Sequence, residues 1–122
     1  MVYVTRNPRD ATVSLLNHWS IFEGFTGSLD LMVDAMTNDV AGYYGPFFLN
    51  VLKYWEKRHE ENICFITYEE MKRDLPSVIR RVSAFLGKPL KEEQIPSLAA
   101  HLSFDKMKTN RAVNLSDYVV VR

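Results

Sequence analysis

The distribution of apolar residues predicts an α/β protein: part of a parallel sheet flanked by helices, and an incomplete one. Three observations carry this. Residues 2–5 and 63–68 are short runs of β-branched and aromatic side chains without the clean alternation of a half-wet strand, as suits strands buried on both faces. The long stretch between them has helical rather than alternating periodicity. Finally, two strands joined by a helical crossover must run parallel, which sets the architecture as sheet plus covering helices. Two strands do not make a doubly covered sheet, so further strands are expected outside these residues. Both chain ends are strand-like, Val2-Tyr3-Val4-Thr5 and Tyr118-Val119-Val120-Val121, which suggests the middle-to-late portion of a longer domain, with 1–122 as one partial unit.

The elements follow in order. After the strand 2–5 comes Arg6, then Asn7-Pro8-Arg9-Asp10. Asn7 suits an N-cap, Pro8 the first helical position and Asp10 the positive end of the dipole. A helix is predicted from 8 to about 23, with Val13, Leu16 and Ile21 on its apolar face, ended by Gly24 and Gly27. A second helix is predicted over 29–37, then an aromatic turn at 42–46. A third begins near Pro46, its stripe Phe48, Val51, Leu52, Trp55 at i, i+3, i+4, i+7. Such a stripe is core or, in a rival reading of the chain as a helical interaction module, a partner groove. Beyond the strand 63–68, a helix follows Asp74 with Leu75, Val78, Ile79, Val82 and Leu86 on one face, stopped by Gly87 and Pro89. Residues 91–102 are helical in pattern, with Pro96 expected to kink or restart the helix. From Ser103 on, the sequence reads as mostly loop.

Composition narrows the function. The 122 residues carry 15 Lys plus Arg against 15 Asp plus Glu, a neutral balance with no broad electrostatic footprint for nucleic acid or an anionic membrane. The 47% hydrophobic and 25% charged fractions are those of a folded domain. The lone Cys64 excludes a disulfide framework within these residues and nearly excludes a cysteine-based zinc site. No apolar run approaches the ~18–20 residues that span a bilayer. Cytoplasm is the expected compartment.

One stretch carries chemistry. At residues 3–14 a strand ends, Arg6 sits at its carboxyl edge and a capped helix begins. Ligands of open α/β sheets bind beyond the carboxyl ends of strands. Helix starts offer N–H groups to anions, and a guanidinium is shaped for phosphate. Ser14, about two turns into the helix, brings a hydroxyl to the same side. The residues alone equally suit a structural ion pair at Arg6 and a packed Ser14.

This stretch resembles the 3′-phosphate-binding segment of the cytosolic sulfotransferases, Tyr-Val-x-Arg-Asn-Pro-x-Asp-x-x-x-Ser, at every fixed position. These enzymes use 3′-phosphoadenosine 5′-phosphosulfate (PAPS). Phe65-Ile66-Thr67-Tyr68-Glu69-Glu70-Met71-Lys72 is similar to the family's strand-to-turn segment, and Ser103-Phe104-Asp105-Lys106-Met107-Lys108 to its Ser-Phe-x-x-Met-Lys loop. The resemblance implies a P-loop-like sulfotransferase fold. It places Arg6 and Ser14 on the 3′-phosphate, Tyr68 near the adenine, and Ser103 and Phe104 beside it, where a flat π-face suits a base. Read without the family, Tyr68 is a strand-end aromatic, and Phe104 and Met107 anchor a loop. Leu102 departs from the threonine common in the family and removes a polar contact.

His18 and Phe22 fall where the family's first helix faces the acceptor, a small phenol, steroid or alcohol. Trp19, Phe22, Phe25 and residues 43–48 are either lining of that pocket or core. The implied reaction is sulfuryl transfer from PAPS to a hydroxyl or amine, with no metal. The family's Pro-Lys-Ser-Gly-Thr-Thr-Trp loop, its catalytic histidine, its C-terminal Arg-Lys-Gly segment and its dimerisation segment do not occur in these residues. None of His18, His59 or His101 matches the catalytic histidine, so no catalytic residue is assigned and the chain by itself is expected to be inactive. The rival within the family is a non-catalytic nucleotide-binding or interaction remnant.

Overall fold

The computed structural model describes residues 1–38, 40, 46–110 and 112–113. The aromatic turn at 42–46, apart from Pro46, and the strand-like end at 118–121 lie outside them. The described elements are β1 (Val2–Thr5), α1 (Pro8–Phe22), α2 (Leu29–Thr37), α3 (Phe47–Glu56), β2 (Cys64–Thr67), α4 (Tyr68–Arg73), α5 (Leu75–Phe85), α6 (Gln94–His101) and α7 (Phe104–Thr109). They group into two compact units, Met1–Glu69 and Glu70 onward.

In the first unit β1 and β2 pair in parallel, Val2 opposite Cys64 through Thr5 opposite Thr67. One face of this ribbon is aromatic. Tyr3 stacks on Phe65 at 5.3 Å and on Tyr54 of α3 at 4.2 Å, and Trp55 meets Phe65 edge-on at 5.4 Å. Tyr3 donates its hydroxyl to Asn50 Oδ1 at 2.6 Å. Asn50 and Tyr54, one helical turn apart, thus dock α3 on the sheet. Burial, and after it the neighbouring Tyr54, pushes the Tyr3 phenol above its ordinary pKa, so it stays a hydrogen-bond donor.

The other face is only half covered. Cys64 and Ile66 are buried, while Val2 and Val4 are exposed. The expectation of a strand buried on both faces is therefore not met by β1, whose one strand neighbour among the described residues is β2. The predicted helix faces shift as well. Thr12 is the buried residue of α1, its hydroxyl donating to the Pro8 carbonyl at 2.7 Å, whereas Val13 and Ile21 are exposed. α1 packs on α2, whose Met32 and Met36 are buried. No residue of α3 is fully buried: of its predicted stripe Trp55 meets Phe65 on the sheet, while Phe48 and Leu52 are exposed.

In the second unit α5 packs on α6 and α6 on α7. Val78, Ile79 and Ile95 form the core, Ile95 at 1% exposure. α5 ends in a Schellman turn. The Lys88 N–H reaches the Ser83 carbonyl at 3.0 Å, the Gly87 N–H reaches Ala84 at 3.1 Å, and Gly87 has φ +62°. Pro96 neither kinks nor restarts α6. The helix begins at Gln94, which places Pro96 in the first turn, where a backbone N–H has no helical partner to lose. Two segments differ from the loop and strand readings. Tyr68 opens α4 rather than ending the strand, and residues 104–109 form α7.

Candidate nucleotide site at the end of the two strands

The site is built where β1 and β2 end side by side. Arg6 is the first residue past β1, and Tyr68 the first past β2. Because the strands pair in register, Arg6 falls opposite Tyr68. Its guanidinium carbon lies 4.5 Å from the centre of the Tyr68 ring, a cation–π contact of about 0.5–1 kcal/mol at a part-exposed position. The Arg6 Nε is buried and has no hydrogen-bond partner among the described residues. Leaving a buried donor unmade costs roughly 1–3 kcal/mol. Arg6 is thus held by its flat face while its Nε–H stays uncommitted, a state suited to an anionic acceptor.

α1 starts immediately beyond. Asn7 caps it, Oδ1 accepting the Arg9 N–H at 2.9 Å, and the Ala11 N–H closes on the Asn7 carbonyl at 2.9 Å. Pro8 has no N–H. Little of the helix start is therefore left to offer an anion, contrary to the sequence expectation. Arg6, Ala11, Ser14, Leu15 and His18 line one open hollow of about 340 Å³. Ala11, Ser14, Leu15 and His18 are spaced at three and four residues along α1, so they form one helical face. The His18 ring meets Phe22 at 4.7 Å, which extends the same face toward the end of the helix. Five of the seven expected site residues therefore belong to one neighbourhood: Arg6, Ser14, Tyr68, His18 and Phe22.

Ser103 and Phe104 lie in the second unit. Ser103 stands at the N-cap of α7 without a side-chain cap bond, and its carbonyl accepts the Met107 N–H at 2.9 Å. Phe104 is 66% exposed, so it does not anchor a loop to this chain's core. Leu102 ends α6, its N–H bonded to the Leu98 carbonyl at 2.9 Å. Among the described residues, no three His, Cys, Asp or Glu side chains are grouped to hold a metal ion, and no helix is long and apolar enough to cross a membrane. Of the remaining aromatic candidates, Trp19 and Phe25 meet edge-on at 5.7 Å beside Gly27. A Cβ on Gly27 would lie 2.2 Å from the Phe25 ring.

Comparison with known proteins settles the family. A model of the sulfotransferase domain matches residues 1–120. The chain belongs to the sulfotransferase family. Luciferin sulfotransferase of Photinus pyralis is 41% identical over 122 residues, all of this chain and 33% of that protein. Sulfotransferase 2B1 of Mus musculus is 36% identical over 118 residues, 95% of this chain and 35% of that protein. The chain thus spans about a third of the length of these relatives. Among solved structures, retinol dehydratase in complex with androsterone and the inactive cofactor PAP superposes with a TM-score of 0.89. It is 39% identical, and the match covers 97% of this chain and 35% of that one. A mouse sulfotransferase complexed with PAP superposes at 0.82, with 30% identity over 91% of this chain and 40% of that one. The α/β fold, incomplete in these residues, is therefore the sulfotransferase fold.

One contact at this corner has no role assigned from the sequence. The Asn7 N–H donates to Glu69 Oε1 at 2.9 Å. Glu69 stands inside the Tyr-Glu-Glu-Met-Lys motif, but only the strand register places it against Asn7, 62 positions away.

Proposed function

We propose that this chain supplies the 3′-phosphate side of a PAPS site and one wall of an acceptor pocket, as the 1–122 portion of a longer cytoplasmic sulfotransferase domain. That enzyme moves a sulfuryl group from PAPS to a hydroxyl or amine of a small phenol, steroid or alcohol. The acceptor oxygen or nitrogen forms the new bond to sulfur, and the bond from sulfur to the 5′-phosphate oxygen breaks. The leaving product is adenosine 3′,5′-bisphosphate (PAP). The observation that carries this reading is the buried, unpartnered Arg6 Nε beside Ser14. The PAP named in the neighbours' structures supports the same nucleotide.

Each residue has a binding task. Arg6 pairs with the 3′-phosphate, a charge-assisted contact that fixes the nucleotide's orientation. Ser14 donates its hydroxyl to the same group. Tyr68 props the guanidinium and borders the adenine, and Ser103 and Phe104 flank the base. His18 and Phe22 face the acceptor. Holding donor and acceptor in line is a large share of such catalysis, and it is the share these residues supply. The groups that handle developing charge and the acceptor proton belong to the Pro-Lys-Ser-Gly-Thr-Thr-Trp loop and histidine absent from this sequence.

The test is turnover. Protein expressed from the complete reading frame, given PAPS and a panel of phenols, steroids and alcohols, is expected to release the bisphosphate. The 122 residues alone are expected to release none. Release by the short chain would overturn the division of labour. Nucleotide binding without turnover by the complete protein would favour the non-catalytic remnant.

A further inference from the structure

The pairing of the two strands does not stop where their backbone ladder stops. β1 and β2 pair residue i with residue i + 62, ending at Thr5 and Thr67. One step further, the Arg6 guanidinium covers the Tyr68 ring. Two steps further, the Asn7 N–H donates to Glu69 Oε1 at 2.9 Å. Contacts to the Tyr68 and Glu69 side chains thus keep the two strand ends in register past the end of the backbone ladder.

Asn7 is the pivot of this corner. Its N–H is held by Glu69, its Oδ1 caps α1 through the Arg9 N–H, and its carbonyl accepts the Ala11 N–H. Its peptide bond is the one that leaves Arg6. Fixing Asn7 therefore fixes both the exit direction of Arg6 and the start of the helix that carries Ser14.

Glu69 is an odd choice for that task. It places a carboxylate beside a site read as anion-binding, where its charge opposes the ligand. A neutral acceptor would hold the same N–H without that repulsion. We infer that Glu69 is a positioning residue for the 3′-phosphate contact, acting through Asn7 to hold Arg6 and α1 in binding geometry. The inference rests on the reading of Arg6 as the 3′-phosphate ligand. Charge and position make opposite forecasts. If the carboxylate mattered only through its field, removing it would tighten anion binding whichever residue replaced it. If it positions Asn7, the outcome depends on whether an acceptor oxygen remains.

The experiment is calorimetric titration of the protein from the complete reading frame with adenosine 3′,5′-bisphosphate. Adenosine 5′-phosphate, which lacks the 3′-phosphate, serves as control. Glu69→Ala is expected to weaken the bisphosphate about tenfold, the scale of one lost hydrogen bond to a charged group. It should change the monophosphate by less than about twofold. Glu69→Gln, which keeps an acceptor oxygen and drops the charge, is expected to bind the bisphosphate as tightly as the parent or more tightly. Glu69→Asp, one methylene shorter, is expected to lie between parent and alanine, and it serves where the alanine variant does not fold. Tightening by both Ala and Gln, equal loss in both, or equal loss for the two nucleotides would each overturn the inference. Arg6→Ala separates this from the broader reading. If Arg6→Ala leaves the preference for the bisphosphate intact, the 3′-phosphate assignment fails and Glu69 falls with it. If Arg6→Ala abolishes the preference and Glu69→Ala does not touch it, only the Glu69 role fails.

Discussion

The corner between β1 and α1 and the turn after α5 are both places where a regular element ends, and they are finished in opposite ways. At the turn after α5 the polar groups have partners. Gly87 and Lys88 close the last carbonyls, and Ser83, buried inside, donates to the Lys88 carbonyl and accepts the Leu90 N–H at 3.2 Å. Around it the bidentate Arg80–Glu92 pair joins the end of the loop back to α5. At the corner, Arg6 keeps a buried donor unpaired while its neighbours Asn7, Tyr68 and Glu69 fix its position. One end is built for stability alone. The other carries an uncompensated cost and surrounds it with restraint, as expected where binding rather than folding sets the geometry.

Substitutions should separate the two regions. The largest effect is expected at Ile95, buried at 1% exposure against α5. Ile95→Ala should cost about 2–5 kcal/mol of stability through lost transfer energy and cavity, read from urea unfolding. The affinity of the remaining folded protein for adenosine 3′,5′-bisphosphate should not change. Arg6→Ala should do the reverse. Bisphosphate affinity should fall about a hundredfold, as loss of a paired, charge-assisted contact implies, with little or no loss of melting temperature. A large stability loss at Arg6 would make it the structural residue that the sequence alone allows.

How much of this was legible beforehand depends on the range of the interaction. β1 at 2–5 and α2 at 29–37 were read with their observed limits, and the end of α1 within a residue, because caps and periodicity are local. Arg6 and Ser14 were found through one contiguous stretch. The face that α1 buries was misread, since Thr12 is polar by type and satisfied only by its own helix. The stripe of α3 shows which side is apolar but not what covers it. α7 was missed because its six residues are too few to show a period. Glu69 could not be assigned a task because the strand register, a contact across 62 positions, is not written in any local pattern.

Smaller effects sharpen the picture of the α5 turn. Ser83→Ala should cost about 1 kcal/mol, the net scale of an intramolecular hydrogen bond, because the Lys88 carbonyl and the Leu90 N–H lose their shared partner. Gly87→Ala isolates backbone conformation. A Cβ there meets nothing within 4 Å, so the expected loss of about 1 kcal/mol comes from φ +62° alone. A loss well beyond that would mean the turn depends on more than Gly87's freedom.

The smallest effect is expected at the start of α5 and is best seen through pH. Asp74 Oδ1 accepts the Ser77 N–H at 3.2 Å and Oδ2 accepts the Ser77 hydroxyl at 2.6 Å. The Ser77 hydroxyl first, then its N–H, hold the Asp74 carboxyl below the ordinary aspartate range. Because the folded carboxyl is the stronger acid, its contribution is fully present above the ordinary aspartate pKa. It is lost as pH falls through the lower, folded value. The stability gap between parent and Asp74→Ala should therefore be widest near neutrality and close on acidification. Arg80 acts on Glu92 in the same direction, so Glu92→Gln should show the same narrowing. Urea unfolding repeated from neutral to acid pH checks both, and a gap that widened in acid would remove charge as the source of either contribution. Nucleotide affinity of Asp74→Ala at neutral pH should match the parent, because this cap stabilises a helix end and holds no ligand.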